Sequence, residues 1–463
     1  MVKMEQPKKR LEMPHVFVVL ILVFLFIYLL TFIIPKGNYE RVETEGGHPS
    51  IVPGSFEFIS APYVGFFDMI QAIPLGMAQA GELIFGGLMI GALFKVLEKT
   101  GMITVAIAAI KKFFHDRTIL LIPTLMLPLA IFTTITGVLE LNLLYIPIVV
   151  PLFLRLGYDR LTAFATVILG SASGFIVAIS APATVGLAQT ISGLPLYSGL
   201  GFRLVVLILF LLGSIVYVMY YANKVHRNPG ISPSYQDGKD AYFLKDEISV
   251  TVNARHYIGF VFLAFATAFM IYGLLQLGWY FIELGAWYLF MAIVIAAIFS
   301  IRPSEMAELF HEGFKLILLA GIVIGLSRSI SILLEQGMIT DTIVYGLETI
   351  MQGTPSGLAA ILMVVVQTGF NFFVGSGSGQ ALITMPIMSS LSELIGVTQQ
   401  TSVLAFQFGD GISNLYYPVG LILAFLALAR VSYFDWLKFL WPLLVYWYGL
   451  VVVSLFIADL IQL

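Results

Sequence analysis

The chain has 463 residues, of which 59% are hydrophobic and only 11% charged, and its mean hydropathy is +0.96. A soluble domain carries about a quarter charged residues, so the composition excludes one; a net charge of -3 says nothing about partners, and the sequence carries no nucleic-acid signature. Without cysteine there are no disulfides, no thiol catalysis and no Cys-built metal site.

In chain order, nine runs reach the roughly 20 apolar residues that span a bilayer. They lie at 15–35, 77–97, 161–189, 204–224, 257–275, 281–300, 314–332, 401–428 and 440–462. The first is too long for a signal peptide and lacks a small-residue cleavage site, so it reads as a retained helix. Two further stretches, 118–154 and 357–394, are too long for one crossing and too interrupted for two. The first breaks at "TTITG" (133–137) and the second at "GSGSG" (375–379), and both read as re-entrant hairpins. Segments 103–114 and 338–352 read as interfacial helices, and 225–256 as a polar cytoplasmic linker without a periodic apolar face.

Alternating the spans from a cytoplasmic N-terminus places every Lys and Arg but Lys36, Arg41, Arg203 and Arg328 on the cytoplasmic side. That asymmetry orients the chain, with the N-terminus inside and the C-terminus outside. The halves also repeat. "LEKTGMIT" (97–104) recurs as "LEQGMIT" (334–340), and Pro147, Gly157 and Gly170 match Pro386, Gly396 and Gly409 at one constant offset. The first repeat covers 1–224, the second 281–463, and the lone span 257–275 between them inverts the second. The fold expected is an all-α membrane protein of two inverted-topology repeats, each with a re-entrant hairpin and an unwound transmembrane helix. Secondary transporters are built this way, with the site near the midplane.

The stretch "FVGSGSGQALITMP" (373–386) shows where that site lies, because no charge occurs between Glu348 and Glu393. Irregular backbone survives at membrane depth only where protein buries it or a wet cavity lines it. The helix after the break aims its amides at a carboxylate, joined by Ser376, Ser378, Gln380 and, one turn earlier, Asn371. The plain alternative is a hairpin tip packed closely through small residues. The partner span carries "FQFGDGISNLYYP" (406–418), read as unwound around Asp410 between Gly409 and Gly411, with Ser413 and Asn414 beyond. An ionisable group there costs at least ~2.5 kcal/mol, which makes a substrate ammonium, a cation or a proton the default partner and a backbone cap the alternative. In the first half the tip "TTITGVLELN" (133–142) supplies Thr134, Thr136, Glu140 and Asn142, and the span 170–186 supplies Ser171 and Ser173. Arg328 is the base inside a span, read as snorkelling or as neutralising one of the two acids.

The strings "SGSGQALITMPIM", "VLAFQFGDGISNLYYP", "LPLYSGLGFR" and "MPHVF…IIPKGNYE" resemble the YfcC-type permeases, grouped with the C4-dicarboxylate anaerobic carriers of the wider ion transporter superfamily. The resemblance covers nearly the whole chain. It implies an elevator-type scaffold and transport domain, a homodimer, and substrate and cation contacts at Ser376, Ser378, Gln380, Asp410, Ser413 and Asn414. Members often have an acid-rich string after the first tip where this chain has "GVLELN", and "NP" where it has "AP" (181–182).

Together these readings give a secondary active transporter in a bacterial-type cytoplasmic membrane, carrying a small carboxylate-bearing metabolite. An amino acid, including a basic one exchanged in arginine/ornithine fashion, leaves fewer buried charges unpaired than a dianion. A cation-coupled C4-dicarboxylate carrier is the alternative. Sodium near Ser376, Ser378, Asp410 and Asn414, or a proton, is the candidate coupling ion, and no other cofactor is expected. A channel would need a continuous polar stripe, and an enzyme a nucleophile or metal constellation; neither pattern is found in the sequence.

Overall fold

A computed structural model describes residues 16–43, 49–114, 117–233, 252–351 and 356–463. The N-terminal segment expected inside the cell and most of the expected linker, 234–251, lie outside the described residues. The chain is an all-helical, multi-pass membrane protein. Among the described residues seven helices are long and apolar enough to cross a membrane, eight if one bent pair counts as a span.

α1 (Val16–Ile33) leads into two short antiparallel strand pairs, β1 (Gly37–Asn38) with β4 (Glu57–Phe58) and β2 (Arg41–Glu43) with β3 (Pro49–Ile51). Where a straight span at 77–97 was expected, α2 (Phe66–Gln79) and α3 (Gly81–Lys99) meet at a 53° bend. The bend falls at Ala80, with Pro74 in the preceding helix and Gly81 opening the next. α4 (Met102–Phe114), α5 (Leu121–Thr136), α6 (Asn142–Arg155) and α7 (Arg160–Val177) follow. α8 (Leu187–Ile191) and α9 (Leu200–Arg227) complete the first half, and α10 (Ala254–Gln276) stands between halves. The second half runs α11 (Phe281–Ile298), α12 (Pro303–Gly337), α13 (Thr340–Met351), α14 (Ser356–Asn371) and α15 (Gly377–Ile395). It ends with α16 (Gln399–Ser413), α17 (Leu421–Ala429) and α18 (Tyr433–Leu460).

Small residues set the helix crossings. A β-carbon on Gly91 would lie 2.2 Å from Gly313 O, so α3 and α12 touch main chain to main chain. Gly285 meets Gly86 in the same way, joining α11 to α3. Around these helices Ile90, Leu93, Met270, Leu284, Met291 and Ile295 form a core of their own, to which the segments 121–155 and 356–395 add, among the described residues, just Leu141 as a buried member. The larger core contains α1, α7, α9, α14, α16 and α18.

The strands lie on α13. Arg41 Nη2 donates to both carboxylate oxygens of Asp341, at 2.8 and 2.9 Å, and Phe56 stacks on Tyr345 at 4.2 Å between centroids. Tyr39 donates to Glu348 at 2.7 Å. Burial, that bond and the Glu348 and Asp341 charges hold the Tyr39 phenol well above its usual range.

Four helix breaks position the site; three lie a few residues from where the sequence suggests, and the fourth falls within the stretch 170–186. α5 runs through "TTIT" because Thr133 and Thr136 bond back to Leu129 O and Phe132 O, and it ends on Gly137 at φ +70°. The second pair breaks over 372–376, since Ser376 is the N-cap of α15 and draws "GSG" into its first turn. α16 stays helical through Gly409, Asp410 and Gly411, and opens only after Ser413. α7 opens at 178–181 and resumes as a π-helical turn, Pro182–Gly186.

Candidate transport site

The glycines of α16 serve packing rather than unwinding. A β-carbon on Gly409 would lie 2.6 Å from Gln367 Cβ of α14, and one on Gly411 2.7 Å from Ile176 Cα of α7. These two contacts fix the last turn of α16, and Asp410 between them points where the breaks converge. Gly377, first residue of α15, has its β-carbon position 2.9 Å from Asp410 Oδ2 and 2.8 Å from Thr184 Cγ2. Gly137, at the other tip, places its own 2.8 Å from Ala181 Cβ and 3.8 Å from Thr184 Oγ1. Both tips therefore abut the Pro182–Gly186 turn, and Thr184 stands between them.

Asp410 is fully buried. Its main-chain oxygen accepts from Asn414 Nδ2 at 2.8 Å, Ser413 Oγ at 3.1 Å and Asn371 Nδ2 at 3.3 Å. Of its carboxylate, Oδ1 accepts from Asn414 Nδ2 at 3.1 Å, while Oδ2 has no hydrogen-bond partner among the described residues. Asn371 Oδ1 and Thr184 Oγ1 are likewise buried and unpartnered. Asn371 Nδ2 also donates to Ser413 Oγ at 2.7 Å. Free buried acceptors and a hydroxyl beside a carboxylate suit a cation, an ammonium or a proton, because an unpaired buried charge is costly. Ser376, the N-cap of α15, and Ser378, in its first turn, are half-buried, and Ser376 Oγ accepts from Gly379 N. Gly377→Ala is expected to occupy this space and abolish uptake without loss of insertion, as measured by transport and surface expression.

Other predicted residues are drawn elsewhere. Gln380 is fully buried and donates to Gln367 O at 2.9 Å and Gln367 Oε1 at 2.7 Å, tying α15 to α14. Thr134 closes the first-half break, its Oγ1 accepting from Ile179 N and its carbonyl from Ser180 N. Thr136 bonds back to Phe132 O and accepts from Val138 N, both within its own tip. Asn142 Oδ1 accepts from Ser171 Oγ at 2.7 Å, and Ser173 pairs with Ser214 at 3.0 Å. Glu140 is half-buried against α3 and α11, in a narrow cavity with Gly86, Gly87, Phe281 and Tyr288. It makes no ion pair among the described residues. Arg328 neutralises neither acid: it is exposed and donates to Gln79 Oε1 at 3.1 Å.

Sequence reasoning missed two residues. Thr184 was passed over although "PATVG" interrupts an apolar span with Pro and Gly. Arg203, assigned to an external loop, is fully buried and donates to Val177 O at 2.8 Å, at the open end of α7. A broken helix leaves carbonyls without partners and favours a cation there.

Comparison with known proteins decides the family. The model of the DcuC family, described as the C4-dicarboxylate anaerobic carrier, matches residues 13–460. The chain belongs to the C4-dicarboxylate anaerobic carrier family. Among relatives of this carrier is the Escherichia coli (strain K12) protein named "Putative basic amino acid antiporter YfcC", 29% identical over 94% of each chain. An uncharacterized protein of Haemophilus influenzae is 25% identical, over 94% of this chain and 95% of its own. Of solved structures, the carrier is similar to Neisseria gonorrhoeae MtrF, titled as illuminating a class of antimetabolite efflux pumps (TM-score 0.44, 15% identity, 97% and 96% of the chains). It is also similar to the Alcanivorax borkumensis YdaH transporter (TM-score 0.42, 14% identity, 95% and 98%). The protein is a membrane transporter, not an enzyme.

Proposed function

We propose that this carrier is a secondary active transporter moving an amino acid across the cytoplasmic membrane by an elevator motion. The observation that carries the reading is Asp410 Oδ2, buried, unpartnered and within reach of Gly377 and Thr184. It would take the substrate ammonium or a coupling sodium ion or proton, while the first turn of α15 receives the carboxylate. The name of the Escherichia coli relative favours a basic amino acid. The family description favours the second reading, a cation-coupled C4-dicarboxylate. A thermal-shift screen of purified protein with arginine, ornithine and succinate, with and without sodium, separates them, since a ligand of the native state raises the melting temperature. Stabilisation by a cationic amino acid without sodium is the expected result. Stabilisation only by succinate with sodium would give the site to the dicarboxylate.

Local geometry supports two inverted repeats. Gly157 and Gly396, at the constant offset, both take positive φ, +86° and +80°. The next helices are capped by Asp159 and Thr398, which accept from Thr162 N and Thr401 N at the same offset. The separate core of α3, α10 and α11, with α12 packed on α3, supports a scaffold against which the broken helices slide, with Glu140 at that boundary. In this reading the chain dimerises, the N-terminus is cytoplasmic, and α4 and α13 face opposite sides. In this Cys-free chain, Thr349→Cys should react with an impermeant maleimide on intact cells, and Lys112→Cys only after permeabilisation. Reaction of both from one side would falsify the inversion.

A further inference from the structure

Between α9 and α18 the outer surface carries a groove of about 490 Å³, lined by Leu212, Val216, Tyr217, Tyr220, Pro442 and Tyr446. Its floor is low because Gly213 has no side chain and the Tyr446 ring lies over it, 2.3 Å from the β-carbon position. Both walls are apolar membrane-length helices, so the groove opens toward hydrocarbon. Val216 and Tyr220 are two-thirds exposed, a face that lipid chains rather than water must cover.

The two helices run antiparallel, fixed by Tyr217 Oη donating to Phe439 O and Tyr446 Oη donating to Leu209 O. This register sets Lys438 level with Tyr217 and one turn before Pro442, on the groove side of α18. Lys224 continues the Val216–Tyr220 stripe one turn beyond the groove, and Arg227 follows it. Lys224 and Lys438 are exposed and make no ion pair among the described residues. Of the acids at this end, Asp435 is half-buried and Asp159 is buried, accepting from Tyr221 Oη at 2.9 Å and Ser232 Oγ at 2.7 Å, so the exposed rim is net positive.

We propose that this groove binds a phospholipid with an anionic headgroup. The acyl chain lies along Val216 and Pro442, and the phosphate sits between Lys438, Lys224 and the Tyr220 phenol. Charge at one end and apolar volume along the rest match one lipid molecule, whereas a zwitterionic headgroup would bring a cation of its own beside the two ammonium groups. Under the topology proposed above the lipid belongs to the inner leaflet; the binding itself does not depend on that topology or on the substrate.

The test titrates detergent-purified protein with palmitoyl-oleoyl-phosphatidylglycerol or the matching phosphatidylcholine, read by native mass spectrometry and melting temperature. The glycerol lipid should bind at least tenfold more tightly and raise the melting temperature. Each surface lysine contributes about fivefold, so Lys224→Gln with Lys438→Gln should weaken that lipid about 25-fold and leave the choline lipid unchanged. Val216→Trp should weaken both by filling the groove. Equal binding of the two lipids to the native protein, or binding indifferent to the lysine pair, overturns the proposal. So does efficient cross-linking of Val216→Cys between two copies by a short bis-maleimide, which would give the groove to a second subunit.

Discussion

Asp410→Asn is expected to fold, insert and fail to transport. The argument rests on which oxygens of the residue do structural work. Asn371, Ser413 and Asn414 all bond the main-chain oxygen of residue 410, which the substitution leaves in place. Of the side chain, Oδ1 alone has a partner, Asn414 Nδ2, and an amide oxygen can accept that bond equally well. What is lost is the charge at Oδ2, the atom facing Gly377 and Thr184. Breaking a buried charge pair by neutralising one partner typically costs about 3–5 kcal/mol, enough to take uptake below detection. The melting temperature should stay near that of the native protein, while stabilisation by a cationic amino acid disappears. A variant that transports normally would reduce Asp410 to a backbone residue and leave the family assignment untouched.

Much of this was readable in the chain, and the physical reason is the membrane. Hydrocarbon forces apolar runs to be helices, so α9, α10, α11 and α18 lie close to the expected spans. Breaks were readable as Gly, Ser and Pro inside such runs, but their exact residues were not. Ser376 reads as loop by composition, yet its hydroxyl caps α15 and makes "GSG" helical. Gly409 and Gly411 read as an unwound stretch, whereas they let α14 and α7 reach the α16 main chain. Composition cannot distinguish a glycine that bends from one that packs; the difference lies in a neighbour hundreds of residues or one hairpin away. Of the candidate residues, Asp410, Asn371, Ser413 and Asn414 come together at the point the sequence indicated. Gln380 and Ser173 face packed partners instead, and Thr184 was hidden because a lone threonine after Pro182 carries no periodic signal.

The same distinction yields the second large effect. Gly174→Ala should destabilise the protein and impair transport, whereas Gly449→Ala should do neither. A β-carbon on Gly174 would lie 2.1 Å from Ala130 O and 2.3 Å from Thr133 Oγ1, both on α5. Main chain cannot yield as a flexible side chain does, so α5 must move away from α7. Overpacking of this kind costs roughly 1–3 kcal/mol. The displacement also strains the bonds by which Thr134 holds Ile179 N and Ser180 N, each worth about 0.5–1.5 kcal/mol. Because α5 carries Gly137 to Thr184, the misplacement reaches the site as well as the core. Gly449, on α18, has nothing within 4 Å of its β-carbon position, and alanine there is the better helix former. The check is the melting temperature of both variants beside uptake: a clear fall with lost uptake for Gly174→Ala, and neither for Gly449→Ala. If the two alanine variants behaved alike, the close approach of α5 and α7 would not be what positions the first-half tip.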